Sequence, residues 1–414
     1  MTHRIVVLGA GYAGLTAATR AVRQLRPHEA QVTLVNAAAR FVERVRLHQL
    51  AAGQRLPNLM LRDVLRGTGV DLVLGRVTFI DPDHHELWID VPEGPRVLGY
   101  DTLVYALGSM ADLEGVAGGS DHAFTVAGFD DARELGVRVS ALAADRGVLG
   151  VIGGGATGIE AATELAETYP SLRVRLVTGD EPGGWLSPRA REHLRQAFDR
   201  LEIDVHANAK VVGVHPAGVV LADGHVVALD AVLWATGFQV PSLAREAGLA
   251  VDGLSRVLVD DTLRSLSHPD VYAVGDAAAV PGRDGKELRM ACATAIPTGR
   301  YAADAIAAQL RGRRVAPLRF RYLLQCLSLG RRDGVIQFVH ADDSPRNGVL
   351  TGRAAALVKE TIVRGATRAA RGGVPARHVP LCRSHDAALA TRNRKDFHDT
   401  GIDVIDPWHA GDWP

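Results

Sequence analysis

Cysteine is scarce in this 414-residue chain, which contains only three. Cys292, Cys326 and Cys382 are odd in number and far apart, so the sequence predicts neither a disulfide framework nor a thiolate metal site. Histidine is more abundant, with 16 residues, but no metal-ligand spacing recurs among them. The densest group, at residues 83–86, lies between strand-like runs and is typical of a solvated hairpin turn. We therefore expect no bound metal.

The chain also lacks a net charge, because 47 Lys and Arg residues balance 47 Asp and Glu residues. No overall field favours nucleic acid, so we expect no nucleic-acid partner. No run reaches the ~18 consecutive apolar residues that a spanning helix requires. The N-terminus passes from Met-Thr-His-Arg straight into an apolar run, which leaves no room for a signal peptide. The sequence therefore predicts a cytoplasmic protein.

Glycine, by contrast, is plentiful, and it forms two similar turns. Each turn follows a short apolar run and precedes a helix-like segment, and the turns begin 144 residues apart, at Gly9 and Gly153. The spaced glycines are Gly9, Gly11 and Gly14 in the first turn and Gly153, Gly155 and Gly158 in the second. Such glycines permit a tight bend and a close approach of the backbone to a pyrophosphate, whose charge the helix N-terminus stabilises. Two turns predict two bound dinucleotides.

In a dinucleotide-binding βαβ unit, the residue after the second strand contacts the ribose of the dinucleotide. Apolar runs at residues 32–35 and 174–177 complete two βαβ units. A carboxylate usually follows such a run and binds the ribose hydroxyls, but this chain has Asn36 and Thr178 there. Asn36 can still hydrogen-bond the hydroxyls, without the strength of a charge. Thr178 does not repel a 2′-phosphate, so NADH and NADPH both stay open.

A strand-rich stretch follows each βαβ unit. Antiparallel strands are predicted from Val70 to Leu107 and again from Asp204 to Trp234, and each stretch closes on a strand and a glycine turn. This internal duplication predicts an α/β fold with two Rossmann-like dinucleotide-binding domains. Beyond about residue 317, strands at 320–329 and 335–340 and a helix at 353–371 predict a small α+β C-terminal domain with a polar tail.

The helix predicted at residues 353–371 is basic and amphipathic. Its basic side comprises Arg353, Arg364, Arg368 and Arg371, and the facing apolar stripe comprises Ala354, Ala355, Val358, Ile362, Ala366 and Ala369. The stripe lacks the Trp, Phe and Leu side chains that bury well in a membrane interface. Packing against the protein body, or against a second subunit in a homodimer, is favoured. Peripheral contact with the inner face of a membrane stays open.

Five ordered motifs resemble the FAD-dependent pyridine nucleotide oxidoreductases, and with the helix that follows them they cover about the first 310 residues. The motifs read G-A-G-Y-A-G-L, L-V-Y-A-L-G-S, G-G-G-A-T-G-I-E, A-T-G-F and V-Y-A-V-G-D. The resemblance implies that the first turn binds FAD and that the second, in an inserted domain, binds NADH or NADPH. The implied domains are residues 1–110 and 240–315 for FAD, 111–239 for NAD(P)H, and 316–414 for the C-terminal domain.

The resemblance also implies individual site residues. Asp276 would bind the ribityl chain of the flavin. The other residues implied for the FAD site are Gly9, Gly11, Tyr12, Ala13, Gly14, Asn36, Arg44, Val77, Ala106, Gly108, Gly275 and Ala295. Those implied for the NAD(P)H site are Gly153, Gly155, Thr157, Gly158, Thr178 and Gly237. Glu160 and His48 are the candidate catalytic residues, although a carboxylate at Glu160 is also explained by the helix dipole.

Disulfide reductases of this family carry a cysteine pair just after the second strand of the FAD domain. This chain has Arg44, Arg46 and His48 in that region and no cysteine before Cys292, which argues against disulfide chemistry. Cys292 lies near the expected flavin edge. Without a second cysteine close in sequence, we expect it to be a buried, inert thiol.

Within the family the chain most resembles the type II NADH:quinone dehydrogenases. That branch usually shows A-Q-x-A-x-Q-Q-G beside its quinone pocket, whereas residues 292–299 read C-A-T-A-I-P-T-G. All three glutamines are absent, and Pro297 stands where a helix at about residues 298–310 is expected to begin. The electron acceptor therefore stays open among a quinone, a small electron-transfer protein, an organic substrate and oxygen.

The sequence thus predicts an FAD-dependent NAD(P)H oxidoreductase, in which hydride passes to FAD and electrons then pass to a second acceptor. The helix near residues 295–310 would direct its N-terminus toward the flavin and stabilise negative charge there. A rival from another class is a redox-sensing binding protein that resembles the apoptosis-inducing-factor type. In that case turnover is slow and the reduced flavin controls association.

Overall fold

The computed structural model describes residues 2–282 and 285–371, together with the backbone of residues 389–390 and 404–405. A 3-10 helix at Arg44–Arg46 precedes the second helix. The elements up to residue 105 are β1 (His3–Leu8), α1 (Tyr12–Gln24), β2 (Ala30–Asn36), α2 (Leu47–Ala51), α3 (Leu61–Val64), β3 (Val70–Leu74), β4 (Arg76–Asp81), β5 (Glu86–Val91), β6 (Gly94–Gly99) and β7 (Thr102–Tyr105).

The middle of the chain repeats this plan with longer helices. Its elements are β8 (Met110–Ala111), α4 (Gly119–His122), β9 (Ala123–Phe124), α5 (Phe129–Ala144), β10 (Val148–Ile152), α6 (Ala156–Thr168), β11 (Arg173–Val177), α7 (Pro188–Arg200), β12 (Asp204–His206), β13 (Val211–His215), β14 (Gly218–Leu221), β15 (Val226–Ala228), β16 (Ala231–Trp234) and β17 (Phe238–Gln239).

The remaining elements return to the first half and then form a C-terminal unit. They are α8 (Leu243–Glu246), β18 (Val257–Leu258), β19 (Val271–Ala273), β20 (Ala278–Ala279), α9 (Cys292–Leu310), β21 (Leu324–Ser328), β22 (Gly334–Val339), β23 (Pro345–Thr351), α10 (Gly352–Ala370), β24 (Leu389–Ala390) and β25 (Val404–Ile405). A second 3-10 helix spans Gly275–Ala277.

Two five-stranded sheets have the same internal order. The first runs β3-β2-β1-β7-β19 and the second runs β12-β11-β10-β16-β9, with parallel pairing throughout. An antiparallel sheet is inserted before the fourth strand of each half, β4-β5-β6 in one and β13-β14-β15 in the other. The predicted duplication, and with it an α/β fold containing two Rossmann-like units, is confirmed. β8 and β17 pair where the chain passes between the halves.

The predicted antiparallel stretches are wrong at their ends. β3 pairs in parallel with β2, and β7 pairs in parallel with β1. In the second half β12 and β16 likewise belong to the parallel sheet. Apolar patterns and turn residues indicate that a strand is present, but the direction of its partner is set by tertiary contacts.

Helix α9 begins at Cys292, earlier than predicted, and contains Pro297. Pro297 lacks the N–H that would bond to the carbonyl of Ala293, which ordinarily disfavours a helix interior. Tertiary packing offsets that cost, because α9 crosses α1 closely at Gly299. A Cβ added to Gly299 would lie 2.2 Å from the carbonyl oxygen of Ala13.

The C-terminal unit consists of the antiparallel sheet β21-β22-β23 and helix α10, in agreement with the predicted α+β domain. The apolar stripe predicted for α10 is correct only in part: Ile362 and Ala366 are half-buried, whereas Ala354, Val358 and Ala369 are exposed. The helix buries Ala355, Lys359, Val363, Thr367 and Ala370, and of the predicted stripe only Ala355 is fully buried. Lys359 and Thr367 find polar partners in the interior, so polarity does not mark the exposed side of this helix.

The predicted polar tail after residue 371, with Cys382, lies outside the described residues apart from the backbone of β24 and β25. Among the helices of the described part of the chain, none combines the length and apolar character needed to cross a membrane.

Candidate functional site

The first glycine turn lies between the end of β1 and the start of α1. Gly9 has a φ of +96°, and a Cβ there would lie 2.5 Å from the carbonyl oxygen of Ala106. A Cβ on Gly14 would lie 1.9 Å from the carbonyl oxygen of Gly9. At Gly11, by contrast, an added Cβ meets no atom within 4 Å. Gly9 and Gly14 are therefore required by the turn itself, whereas Gly11 keeps open the space in front of the α1 N-terminus.

The second turn repeats this geometry between β10 and α6. Gly153 has a φ of +120°, and a Cβ there would lie 2.8 Å from the Cβ of Thr236. A Cβ on Gly158 would lie 1.9 Å from the carbonyl oxygen of Gly153, and one on Gly155 would meet nothing within 4 Å. Both turns thus fit the approach of a pyrophosphate to a helix N-terminus.

Asn36 is the last residue of β2 and Thr178 directly follows the equivalent strand β11, but the two side chains have different contacts. Asn36 Oδ1 accepts a hydrogen bond from the Ala10 N–H at 2.8 Å, and its Nδ2 donates to the Ala38 carbonyl at 2.7 Å. The Asn36 side chain therefore fixes the first turn. Thr178 is buried against Gly154, where an added Cβ would lie 2.6 Å from its hydroxyl oxygen.

The Gly275–Asp276 pair contacts residues from three distant segments, Arg44, Ser109 and Thr298, at the carboxyl edge of the first sheet. The Ser109 hydroxyl donates to Asp276 Oδ2 at 2.7 Å. Arg44 Nη1 donates to the Ser109 carbonyl at 2.8 Å and lies 4.0 Å from Asp276 Oδ2. Gly275 has a φ of +66°, and its N–H donates to the Thr298 hydroxyl at 3.1 Å. The predicted residues Arg44, Gly275 and Asp276 therefore converge beside the first turn.

Several of the other predicted residues lie close to these two turns in the chain, whereas Val77 lies in the antiparallel sheet. Tyr12, Ala13, Ala106 and Ala295 are buried, Thr157 is half-buried in the first turn of α6, and Val77 is half-buried in β4. Gly108 and Gly237 occupy equivalent positions after β7 and β16, with φ of +71° and +68°. The duplication therefore extends to the backbone conformation of these two glycines.

Glu160 and His48 meet at a junction of three parts of the chain. Glu160, on α6, is buried, forms an ion pair with Lys359 of α10, and accepts a hydrogen bond from the Ser328 N–H at 3.1 Å. Its Oε2 lies 3.9 Å from Nδ1 of His48 on α2. His48 Nε2 is buried and has no hydrogen-bond partner among the described residues. Lys359, and not only the helix dipole, therefore compensates the charge of Glu160.

Burial and neighbouring cations set the protonation of this cluster. Burial lowers the pKa of His48 well below its usual value, and Lys359, Arg331 and Arg46 lower it further. Burial, followed by the Arg46 guanidinium, lowers the pKa of Lys359 to about 7. His48 is thus neutral at neutral pH. Buried groups with strongly shifted pKa values are typical of functional sites as well as of structural ion pairs.

Sequence reasoning missed Lys359. A signal for it existed, because the chain has only four lysines among its 47 basic residues, and one of them lies within an arginine-rich helix. A lysine differs from an arginine in such a position, because an ammonium shifts its pKa readily when it is buried, as the pKa of Lys359 does. What the sequence lacks is any indication that α10 packs its Lys359 side against α6.

Both described cysteines carry protonated thiols at neutral pH. Burial, and then the Asp276 carboxylate, raise the pKa of Cys292. Burial, and then the neighbouring Cys292, raise the pKa of Cys326 to about 12. Cys326 is thus a spatial neighbour of Cys292 that their separation in sequence conceals. Within the described ranges, no three His, Cys, Asp or Glu side chains gather as metal ligands do.

Comparison with known proteins agrees with this architecture. A NADH dehydrogenase-like protein of Mycobacterium tuberculosis is 29% identical over 377 residues, which cover 87% of this chain and 92% of that protein. The type II NADH:quinone oxidoreductase of Staphylococcus haemolyticus is 27% identical over 388 residues, covering 87% and 94%. The sulfide:quinone oxidoreductase structure from Aquifex aeolicus is 20% identical and aligns with a TM-score of 0.76, over 92% of this chain and 95% of that one. Residues 3–299 match the pyridine nucleotide-disulphide oxidoreductase family, and the chain belongs to it.

Proposed function

We propose that this chain is an FAD-dependent NADH oxidoreductase that passes electrons to a quinone. The observation that carries the proposal is the pair of matching glycine turns, each with one glycine that keeps open the space before a helix N-terminus. Residues 1–110 and 240–315 would bind FAD, and residues 111–239 would bind NADH. Both relatives named above carry NADH in their names, which supports NADH as the donor.

The residues at the two turns would bind and orient the cofactors. Gly11 and Gly155 admit the pyrophosphates, and the N-termini of α1 and α6 stabilise their charge. Asp276, positioned by Ser109 and Arg44, would bind the ribityl chain. Bound together, the two cofactors supply hydride transfer from the nicotinamide to the flavin. Glu160, held by Lys359, would present its carboxylate next to the neutral His48.

The proposed quinone acceptor rests on the Staphylococcus relative, which is named for it. Residues 292–299 carry none of the glutamines typical of that branch. The Thr294 hydroxyl is already bonded to the carbonyls of Arg289 and Ala291, at 2.7 and 2.8 Å. We therefore infer that a quinone headgroup is held by residues outside this segment, and less specifically than in a glutamine-lined pocket.

The test begins with the purified protein, which should be yellow and should release FAD on denaturation. NADH should bleach the flavin absorbance, and a soluble quinone should restore it faster than a dye acceptor or oxygen does. Asp276→Ala should lose FAD while the apoprotein stays folded by circular dichroism. A colourless protein that cannot be reconstituted with FAD would contradict the proposal.

Related measurements test the rival function and the predicted partners. Slow reoxidation by every acceptor, together with NADH-dependent oligomerisation in sedimentation, would favour the redox-sensing binding protein. Flotation with anionic liposomes at low and physiological salt tests peripheral contact through residues 353–371. Sedimentation without NADH tests the homodimer.

A further inference from the structure

A large cavity opens beside α10. It has a volume of about 1100 Å³ and lies between residues 54–59, residues 330–332 and one side of α10. Nine Arg and Lys side chains line it, against only two carboxylates, Glu43 and Glu360. Because the whole chain carries equal numbers of basic and acidic residues, this excess of positive charge is a local property of the cavity.

Part of that charge is neutralised by the cavity wall itself. The ion pairs are Arg46 with Glu43 and Glu360, Arg331 with Glu164, Lys359 with Glu160, and Arg364 with Glu360. Several of the partners are buried, and Glu164 has no exposed surface. The Arg46–Glu360 pair joins the first half to α10, and the Arg331–Glu164 and Lys359–Glu160 pairs attach residues 330–332 and α10 to α6.

Four further arginines lack a partner. The side chains of Arg55, Arg332, Arg353 and Arg368 form no ion pair or hydrogen bond with any of the described residues, and all four are exposed. They come from all three walls, with Arg55 facing the cavity from the first half and Arg332 from the turn between β21 and β22. Like charges gathered in this way repel one another, and an anion between them removes that repulsion.

The chemistry of these side chains indicates the class of ligand. A guanidinium presents a planar fork that matches the oxygens of a carboxylate or a phosphate. Leu56, Pro57 and Leu357 also line the cavity, and Leu357 is 71% exposed. Several forks beside an apolar surface suit a molecule with more than one anionic group and an apolar body. The volume, about 1100 Å³, slightly exceeds the range typical for small-molecule sites, about 300–1,000 Å³, so the cavity has room for such a molecule with bound water.

We propose that this cavity binds a small organic anion that carries two or more carboxylate or phosphate groups. The unpaired arginines line a concave space on three sides, whereas a membrane surface would engage a single plane. Lys359 lies in the same wall and contacts Glu160, so the bound anion is adjacent to the buried Glu160–His48 cluster. The site is independent of the redox function proposed above, because it requires neither FAD nor NADH.

Isothermal titration of the full-length protein tests the site, with citrate as the carboxylate probe and tripolyphosphate as the phosphate probe. Sodium chloride keeps the ionic strength constant. We expect saturable binding of at least one probe, and an at least tenfold weaker Kd in the variant Arg332→Ala/Arg368→Ala. The control is Arg314→Ala. Arg314 is exposed, lies outside the cavity and has no side-chain partner among the described residues, so this variant should keep the wild-type Kd.

Three outcomes would overturn the proposal. The first is that neither probe binds saturably. The second is that Arg314→Ala weakens binding as much as the double variant does, which would indicate a general charge effect. The third is that the double variant loses flotation on phosphatidylglycerol vesicles while citrate and tripolyphosphate fail to bind the wild type, which would assign these arginines to a membrane surface. Phosphatidylcholine vesicles serve as the uncharged control.

Discussion

The surroundings of His48 destabilise the protonated form of its imidazole. It is buried on α2, and Lys359, Arg331 and Arg46 all disfavour its protonated form. A histidine with such surroundings couples protein stability to pH, because the unfolded chain gains a proton that the folded protein does not take up.

His48→Gln should therefore change the pH dependence of stability. An unfolded histidine titrates near 6.5, whereas the folded pKa lies well below that value. Stability is then lost as pH falls below 6.5, and the part due to His48 amounts to about 1.4 kcal/mol between pH 7.5 and 5.5. Urea unfolding at the two pH values should show the difference between wild type and variant shifting by that amount. An unchanged difference would mean that His48 titrates normally.

The Glu160–Lys359 pair gives a second expectation at single residues. Lys359→Met removes the cation and leaves a buried carboxylate, which should cost about 3–5 kcal/mol of unfolding free energy. Glu160→Gln/Lys359→Met should recover most of that loss, because no uncompensated charge remains. Lys210→Met, at an exposed lysine, is the matched control. A double variant as unstable as Lys359→Met would show that packing, and not charge, sets the cost.

At the scale of elements, the sequence predicts what local chemistry determines. The glycine spacing predicts both turns, because Gly9, Gly14 and their counterparts are required by contacts within the turn. The direction of β3 and β7, the early start of α9 and the buried side of α10 depend on contacts with distant segments. A proline inside α9 and a lysine on the buried side of α10 even run against the local rules.

The open glycines allow the two dinucleotide sites to be blocked separately. Gly11 and Gly155 have φ of −71° and −74° with extended ψ, so valine is tolerated at both positions. Gly11→Val should yield folded protein without FAD. Gly155→Val should keep FAD and bind NADH at least tenfold more weakly, because its side chain occupies the path of the pyrophosphate.

The absorbance of FAD released on denaturation measures the FAD content of each variant. The dependence of the flavin reduction rate on NADH concentration measures how strongly each variant binds NADH. Gly158→Ala is the contrasting control, since its Cβ would overlap the carbonyl oxygen of Gly153 and should prevent folding of the second half. Reduction of Gly155→Val by NADH at the wild-type rate would remove the second turn from the donor site.

On the scale of the whole molecule, the C-terminal unit connects the two halves. It contacts the second half through Asp333, which lies 2.8 Å from His193 and 2.8 Å from Arg200. It contacts the first half through the Thr367 hydroxyl, which donates to Glu43 at 2.7 Å. These partners are separated by more than 130 residues in sequence, so spacing and periodicity carry no information about them.

Arg331 offers a test of that connection. It forms an ion pair with Glu164 of α6 at 2.9 Å, and Gln54 of the first half donates to the same carboxylate. Burial raises the pKa of Glu164, and Arg331 opposes that shift. Arg331→Met leaves Glu164 buried without its cation. Because Arg331 is 35% exposed and Gln54 still donates to the carboxylate, the cost should be about 1–3 kcal/mol, and Glu164→Gln/Arg331→Met should recover most of it.

The carboxylate of Glu164 in the second half contacts Gln54 of the first half and Arg331 of the C-terminal unit. Removing the Arg331 cation should therefore lower the local stability of both halves together. Hydrogen exchange followed by mass spectrometry should show faster exchange in α2 and in α6 of Arg331→Met, while the β4-β5-β6 sheet exchanges as in the wild type. Faster exchange confined to the C-terminal unit would show that it packs on the halves without coupling them. The combined response of α2 and α6 matters for function, since these helices carry His48 and Glu160, and their spacing depends on the same junction.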